Sequence, residues 1–151
     1  MECSAQLDEI EYIILQELRK NSRIDAIDIS KKVSVSEKII ENKISLLKKK
    51  CIKKNTVLLD FSKLGYDMRI TYIIKSKLPE SLKRFLMESK NVNTVLKIND
   101  GHDYMFEAIF MDDKDKIKFS RNLITFGIEK IEEYTINKTI KQEEFNIPRF
   151  K

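Results

Sequence analysis

Residues Ile24–Asn55 read IDAIDISKKVSVSEKIIENKISLLKKKCIKKN, and the organisation of the whole chain turns on how this stretch is parsed. Ile24, Ile27, Ile29 and Val33 mark the buried set of one short helix. Ser34-Val35-Ser36 break the pattern, and Ile40, Ile44 and Leu47 restart it at 4-3 spacing. Ser36 is placed to cap the second helix, its hydroxyl accepting a backbone N–H two or three residues on. The opposite face carries Glu37, Lys38, Glu41, Asn42 and Ser45, with Lys43 toward one side. Six lysines (43, 48, 49, 50, 53 and 54) fall within twelve residues that contain no acid. Two helices joined by a tight turn, the second leaving through a basic end, is an arrangement that presents a helix to DNA. The plainer alternative is a three-helix bundle that binds protein, its lysines a solvated helix end offsetting the helix dipole.

Upstream, Leu7–Lys20 repeats apolar residues at Leu7, Ile10, Ile14, Leu15 and Leu18, one stripe of an amphipathic helix, with Asp8, Glu9 and Glu11 in its first turn. Downstream, Thr56-Val57-Leu58-Leu59 is β-type and predicts a short wing strand, and Asp60-Phe61-Ser62-Lys63-Leu64-Gly65-Tyr66 reads as a turn and linker. The expected division is therefore 1–60, a winged helix-turn-helix; 61–66, a linker; and 67–151, a second domain.

In that second domain Met68–Ser76 predicts a strand and Leu78–Ser89 a helix opened by Pro79, with Leu82, Phe85 and Leu86 on one face. Val92–Ile98 and Tyr104–Met111 predict a hairpin around Asn99-Asp100-Gly101. A helix capped by Asp112 or Asp113 runs to about Phe126 with Ile117, Phe119, Leu123 and Ile124, Gly127 closes it, and a last strand spans Ile131–Thr139. The order β-α-β-β-α-β is the ferredoxin-like arrangement, so the fold class is α+β. Both helices then cover one sheet face. Tyr72, Ile74 and Phe106 are the residues expected on the other, and an uncovered apolar face predicts a homodimer.

Composition narrows the function. The chain has 151 residues, 42% apolar and 35% charged, which supports a folded core, and its net charge of +5 gains meaning only from where the lysines cluster. Two cysteines, Cys3 and Cys51, make no disulfide framework, and with no long apolar run or signal peptide a cytoplasmic location, away from membranes, is expected. One histidine (His102) leaves a zinc site without ligands; no nucleophile has a base nearby in sequence and no glycine-rich phosphate loop is present. Neither a cofactor, a metal nor an enzymatic activity is expected.

Leu7-Asp8-Glu9-Ile10 with Ile14-Leu15 and Leu18, Asn21-Ser22-Arg23-Ile24, Ile29-Ser30-Lys31-Lys32-Val33-Ser34-Val35-Ser36, and then Ile52, Leu59-Asp60 and Lys63-Leu64-Gly65 together resemble the Lrp/AsnC (leucine-responsive, feast/famine) transcriptional regulators. The second half resembles that family's effector-binding and oligomerising RAM module mainly in topology. The resemblance implies a regulator of transcription on double-stranded DNA that dimerises, with octamers built from dimers and an amino-acid effector as further implications. It places Ser36 at the start of the recognition helix and Lys43 where a basic residue faces DNA. Departures from the family pattern are Ile39 and Leu46 on the reading face, Cys51 in place of glycine, and a glycine shifted by one in Asp100-Gly101-His102-Asp103, the candidate effector loop.

The residues themselves assign Lys38 and Asn42 to base edges, since asparagine pairs bidentately with adenine and lysine donates to guanine. Ser34, Ser36, Lys43, Lys48, Lys49 and Lys50 fall to phosphates. Glu37 or Glu41 accepts from cytosine or trims non-specific affinity by repulsion. Two rival readings stand beside this one: a relative that has lost DNA contact and docks a protein through Ile39 and Leu46, and a relative of the haem-biosynthetic decarboxylases, which resemble the same two-domain layout.

Overall fold

Asp8 caps the first helix of the described residues. Its side chain accepts the Glu11 backbone N–H at 2.8 Å, and the Glu11 carboxylate accepts the Asp8 N–H at 3.1 Å, a capping box that satisfies two helix-end donors reciprocally. The computed structural model describes residues 7–143 and 145. Helix α1 spans Glu9–Lys20, so Leu7 lies before the helix and packs on the core from outside it. α2 spans Ala26–Val33 and α3 spans Glu37–Lys50. The chain divides into two compact units, one reaching Leu58 and resuming at Glu143, the other Leu59–Gln142.

In the first unit Ile14, Leu15, Ile29, Ile40 and Leu47 form the core, with Leu18, Ile24, Val33 and Ile44 half-buried against it. Ile27 departs from expectation: it is 45% exposed, and Ser30 is buried instead, its hydroxyl donating to the Ile27 carbonyl at 2.7 Å. At eight residues α2 has room for only a narrow apolar stripe, which Ile29 and Val33 fill. Glu17 joins α1 to α2 by bonding Lys32, and the Lys32 and Lys20 ammoniums hold its carboxyl below the ordinary range. The expected wing strand is not formed. Ile52–Asp60 carries no regular structure, Val57, Leu58 and Leu59 are each more than half exposed, and no strand among the described residues pairs with them.

The second unit opens on a single 3-10 turn, Ser62–Leu64, closed by Gly65 at φ 81°, where a side chain would be strained. Then follow β1 (Met68–Ser76), α4 (Pro79–Glu88), β2 (Val92–Lys97), β3 (Tyr104–Phe110), α5 (Asp113–Ile124) and β4 (Ile128–Thr135). The sheet is antiparallel throughout, in the order β2-β3-β1-β4, the ferredoxin-like topology expected. β4 begins three residues earlier than expected because the chain leaves α5 through Gly127 directly into the ladder, and Ile136 and Lys138 fall beyond its end.

Strand alternation corrects the expectation for the sheet faces. Tyr72, Ile74 and Phe106 are buried in the core beside Leu82, Leu86, Phe119 and Leu123 of the helices, with the Tyr72 and Phe106 rings stacked at 4.9 Å. The face away from the core therefore carries the residues between them: Arg69, Thr71, Ile73 and Lys75 of β1, Met105 and Glu107 of β3, Leu96 of β2 and Tyr134 of β4. Leu96 and Tyr134 are about half exposed, and Arg69 bonds Glu107 at 2.7 Å. In α5 the buried stripe runs through Phe119 and Leu123, which turns Ile117 and Ile124 outward, 50% and 69% exposed. Phe119→Ala should therefore cost about 3–5 kcal/mol in urea unfolding, while Ile124→Ala should stay within about 0.5 kcal/mol of wild type. Equal losses at the two positions would contradict this rotation of α5.

Candidate nucleic-acid interface

The turn before α3 is built from two serines with different duties. Ser34 closes α2 in the left-handed conformation at φ 54°, its N–H and that of Val35 both returning to the Ser30 carbonyl, the latter at 3.3 Å. Ser36 holds the extended N-cap conformation of α3, but its hydroxyl makes no capping bond, contrary to the expectation. The Ile39 and Ile40 N–H groups instead reach the Ser36 backbone carbonyl at 3.0 and 3.3 Å. Both hydroxyl-bearing residues are exposed, so the start of α3 presents two side-chain hydroxyls and the positive end of the helix dipole on one side.

Along α3 the full burial of Ile40 and Leu47 fixes the rotation of the helix and turns Glu37, Lys38, Ile39, Glu41, Asn42, Ser45 and Leu46 outward. Lys38 and Asn42 share one side, four residues apart, and Lys38 stands 3.7 Å from Glu41, an exposed pair that leaves the ammonium available. Ile39 and Leu46, 45% and 48% exposed, lie seven residues apart on the same open surface, which mixes methyl groups with the polar contacts. Lys48 and Lys49 project from the last turn without an ion-pair partner among the described residues.

Lys43 and Lys50 depart from the expected contacts. For Lys43 the departure is the fuller one. Its ammonium is bonded to the Asp8 carboxylate and lies 3.9 Å from Glu11, with its side chain 20% exposed. Lys50 stands 3.6 Å from the same Glu11, whose side chain is 6% exposed. Two of the four lysines read from sequence as phosphate ligands, Lys43 and Lys50, thus turn back toward α1. Asp8 and Glu11 carry this role unforeseen, although the spacing Asp8-x-x-Glu11 is itself a capping-box signature.

The loop assigned to an effector belongs to the second unit. Asp100 and Gly101 take φ 64° and 80°, the pair of left-handed residues a tight hairpin turn requires. Asp103 accepts the Ser76 N–H at 2.8 Å and donates its own N–H to the Ile74 carbonyl, so its carboxylate is spent on fixing the hairpin against β1. His102 is mostly buried, its Nε2 3.5 Å from Glu132 and without a hydrogen bond. Among the described residues no His/Cys/Asp/Glu group could hold a metal ion, and no helix is long and apolar enough to cross a membrane.

No family model matches the chain. Among curated relatives, an uncharacterized HTH-type transcriptional regulator of Pyrococcus abyssi is 31% identical over 127 residues, 79% of this chain and 81% of the relative. One of Pyrococcus horikoshii is 30% identical over 125 residues, with the same two shares covered. Among solved structures, E. coli AsnC superposes with a TM-score of 0.82 at 17% identity, over 94% of this chain and 99% of that one. A Neisseria meningitidis transcriptional regulator in complex with L-Met superposes with a TM-score of 0.84 at 18% identity, over 95% and 97%. The two curated relatives place the chain among the HTH-type transcriptional regulators, and the superpositions show that its helix-turn-helix and ferredoxin-like sheet share the fold of E. coli AsnC, of the family that the sequence resembles.

The pairing of Asp8 with α3 has a pH signature. Burial pushes the carboxyl up, but Lys43 and the Glu11 N–H outweigh it and hold Asp8 below its ordinary 3.8. A carboxyl lowered by folding adds stability above the unfolded value and loses it as pH falls through the folded one. Melting temperature should thus drop below about pH 4, and Asp8→Asn, which keeps a capping side chain, should flatten that drop. An unchanged acid limb in the variant would contradict the assignment.

Proposed function

We propose that this chain is a sequence-specific DNA-binding regulator that acts as a homodimer. The observation that carries the reading is the outward face of α3: Ser34, Ser36, Lys38 and Asn42 lie along one open side of a helix whose rotation Ile40 and Leu47 fix, and Lys48 and Lys49 extend it. Lys38 and Asn42 read base edges in the major groove; Ser34, Ser36, Lys48 and Lys49 hold phosphates. Glu37 lies at the dipole's positive end and limits binding to unmatched sequence by repulsion. Residues 1–60 act as the DNA-binding domain, 61–66 as the linker and 67–151 as the oligomerisation and effector domain, with the activity cytoplasmic and non-enzymatic.

Support for the dimer comes from the sheet face that the chain's own helices leave open, where Leu96 and Tyr134 are half exposed beside Ile73 and Met105. Apolar groups grouped on one open face favour a self-complementary partner. An amino-acid effector near Asp100, Gly101, His102 and Asp103 is the accompanying reading, supported by the Neisseria meningitidis neighbour that is a complex with L-Met. His102 carries a buried Nε2 without a hydrogen bond, whereas the Asp103 carboxylate already holds the hairpin.

Selection from a randomised duplex library tests the assignment. The wild type should enrich a pseudo-palindrome with half-sites one helical turn or a multiple apart, about 34–36 Å. Lys38→Ala with Asn42→Ala should lose base preference worth about 1–3 kcal/mol per contact. An unchanged preference in the double variant would overturn the readout assignment. In sedimentation the wild type should run as a dimer or a multiple of it, and Leu96→Asp should shift it toward monomer; a dimer untouched by that substitution would place the interface elsewhere.

A further inference from the structure

Glu11 is a buried carboxylate on the first turn of α1, and it faces the recognition helix rather than solvent. Its Oε2 accepts the Asp8 backbone N–H at 3.1 Å, while Oε1 lies 3.9 Å from Lys43 Nζ and 3.6 Å from Lys50 Nζ. Asp8 divides its oxygens the same way: Oδ1 accepts the Glu11 N–H at 2.8 Å, and Oδ2 bonds Lys43. Two oxygens therefore close the first turn of α1 and two hold lysines of α3. Lys43 and Lys50 are seven residues apart, two turns along one side of α3. Apolar contacts at Ile40 and Leu47 are non-directional and tolerate a small slide; two cations on fixed carboxylates do not.

We propose that the Asp8–Glu11 capping box is a positioning device for α3, through which Lys43 and Lys50 set the register of the reading face, and that Lys43 bonds no phosphate. The inference rests on the reading of α3 as the DNA-contacting helix. It assigns binding specificity to residues that touch no DNA. A lysine that neutralises a phosphate steepens the salt dependence of binding by about 0.9 in log–log slope. A lysine already neutralised by two carboxylates contributes little to that slope but matters for where its neighbours point.

The test uses the full chain, titrated over a salt series onto a duplex that the wild type enriches from a randomised library and onto a scrambled duplex of the same composition. Glu11→Gln keeps the acceptor the capping box needs and removes only its charge. Lys43→Met removes the clamp cation, Lys43→Arg restores it, and Lys48→Met removes an unpaired cation for comparison. Melting curves identify any variant that has lost its fold. Lys43→Met and Glu11→Gln should each lower preference for the enriched duplex by roughly tenfold, about the worth of one misplaced bidentate contact. The slope of Lys43→Met should match wild type, and Lys43→Arg should recover the preference. Lys48→Met should flatten the slope by about 0.9 and leave the preference intact. A flattened slope with intact preference in Lys43→Met would make Lys43 a phosphate ligand and overturn the proposal. So would folded Glu11→Gln with unchanged preference. If the wild type enriches no duplex, the DNA-binding reading itself falls, and the proposal with it.

Discussion

Ile40 and Leu47 are both fully buried, two turns apart on α3, and their contact with Ile14, Leu15 and Ile29 fixes the rotation of that helix about its axis. Burying each side chain contributes about 1.5–3 kcal/mol, so a rotated helix would lose several kcal/mol before any other cost is counted. This constraint makes one set of side chains available and withholds another. Lys38 and Asn42 are outside because Ile40 and Leu47 are inside. Lys43, one turn from each of them, lies at the margin of the buried stripe and is drawn to the carboxylates of α1.

The α1–α3 contact also shows how a short unit with a small core holds a helix firmly. Five fully or largely buried apolar residues are a modest core for three helices. Polar clamps supplement it at both ends of α1: Asp8 and Glu11 against α3, and Glu17 against Lys32 of α2. Glu11 is nearly enclosed, and its two oxygens meet a backbone N–H on one side and two lysine ammoniums on the other, so neither is buried without a partner.

Much of this was legible in the sequence, and the failures have physical causes. Period-3.6 and period-2 apolar patterns placed the five α-helices and the four sheet strands found among the described residues, because those patterns follow directly from which face must be buried. Face assignments were weaker. Tyr72, Ile74 and Phe106 were expected on the open sheet face and lie in the core, since alternation defines two faces without saying which one the helices cover. Ile117 and Ile124 read as core by hydrophobicity, although Phe119 and Leu123 already fill the stripe that α5 can bury. Thr56–Leu59 had strand composition and no partner within the described chain. In the candidate site the exposed positions of α3 followed from its apolar spacing, whereas the return of Lys43 and Lys50 to α1 depends on a contact between helices that local spacing does not encode.

Whether the outward face of α3 meets DNA can be read by amide chemical-shift mapping during titration of the full chain with an enriched duplex, which reports every backbone N–H at once. The largest changes should fall on Ser34–Asn42 and on the Lys48–Lys49 end of α3, with the buried positions Ile40 and Leu47 changing less than their exposed neighbours. Changes concentrated in the sheet unit, with α3 left unperturbed at saturation, would contradict a DNA contact through α3.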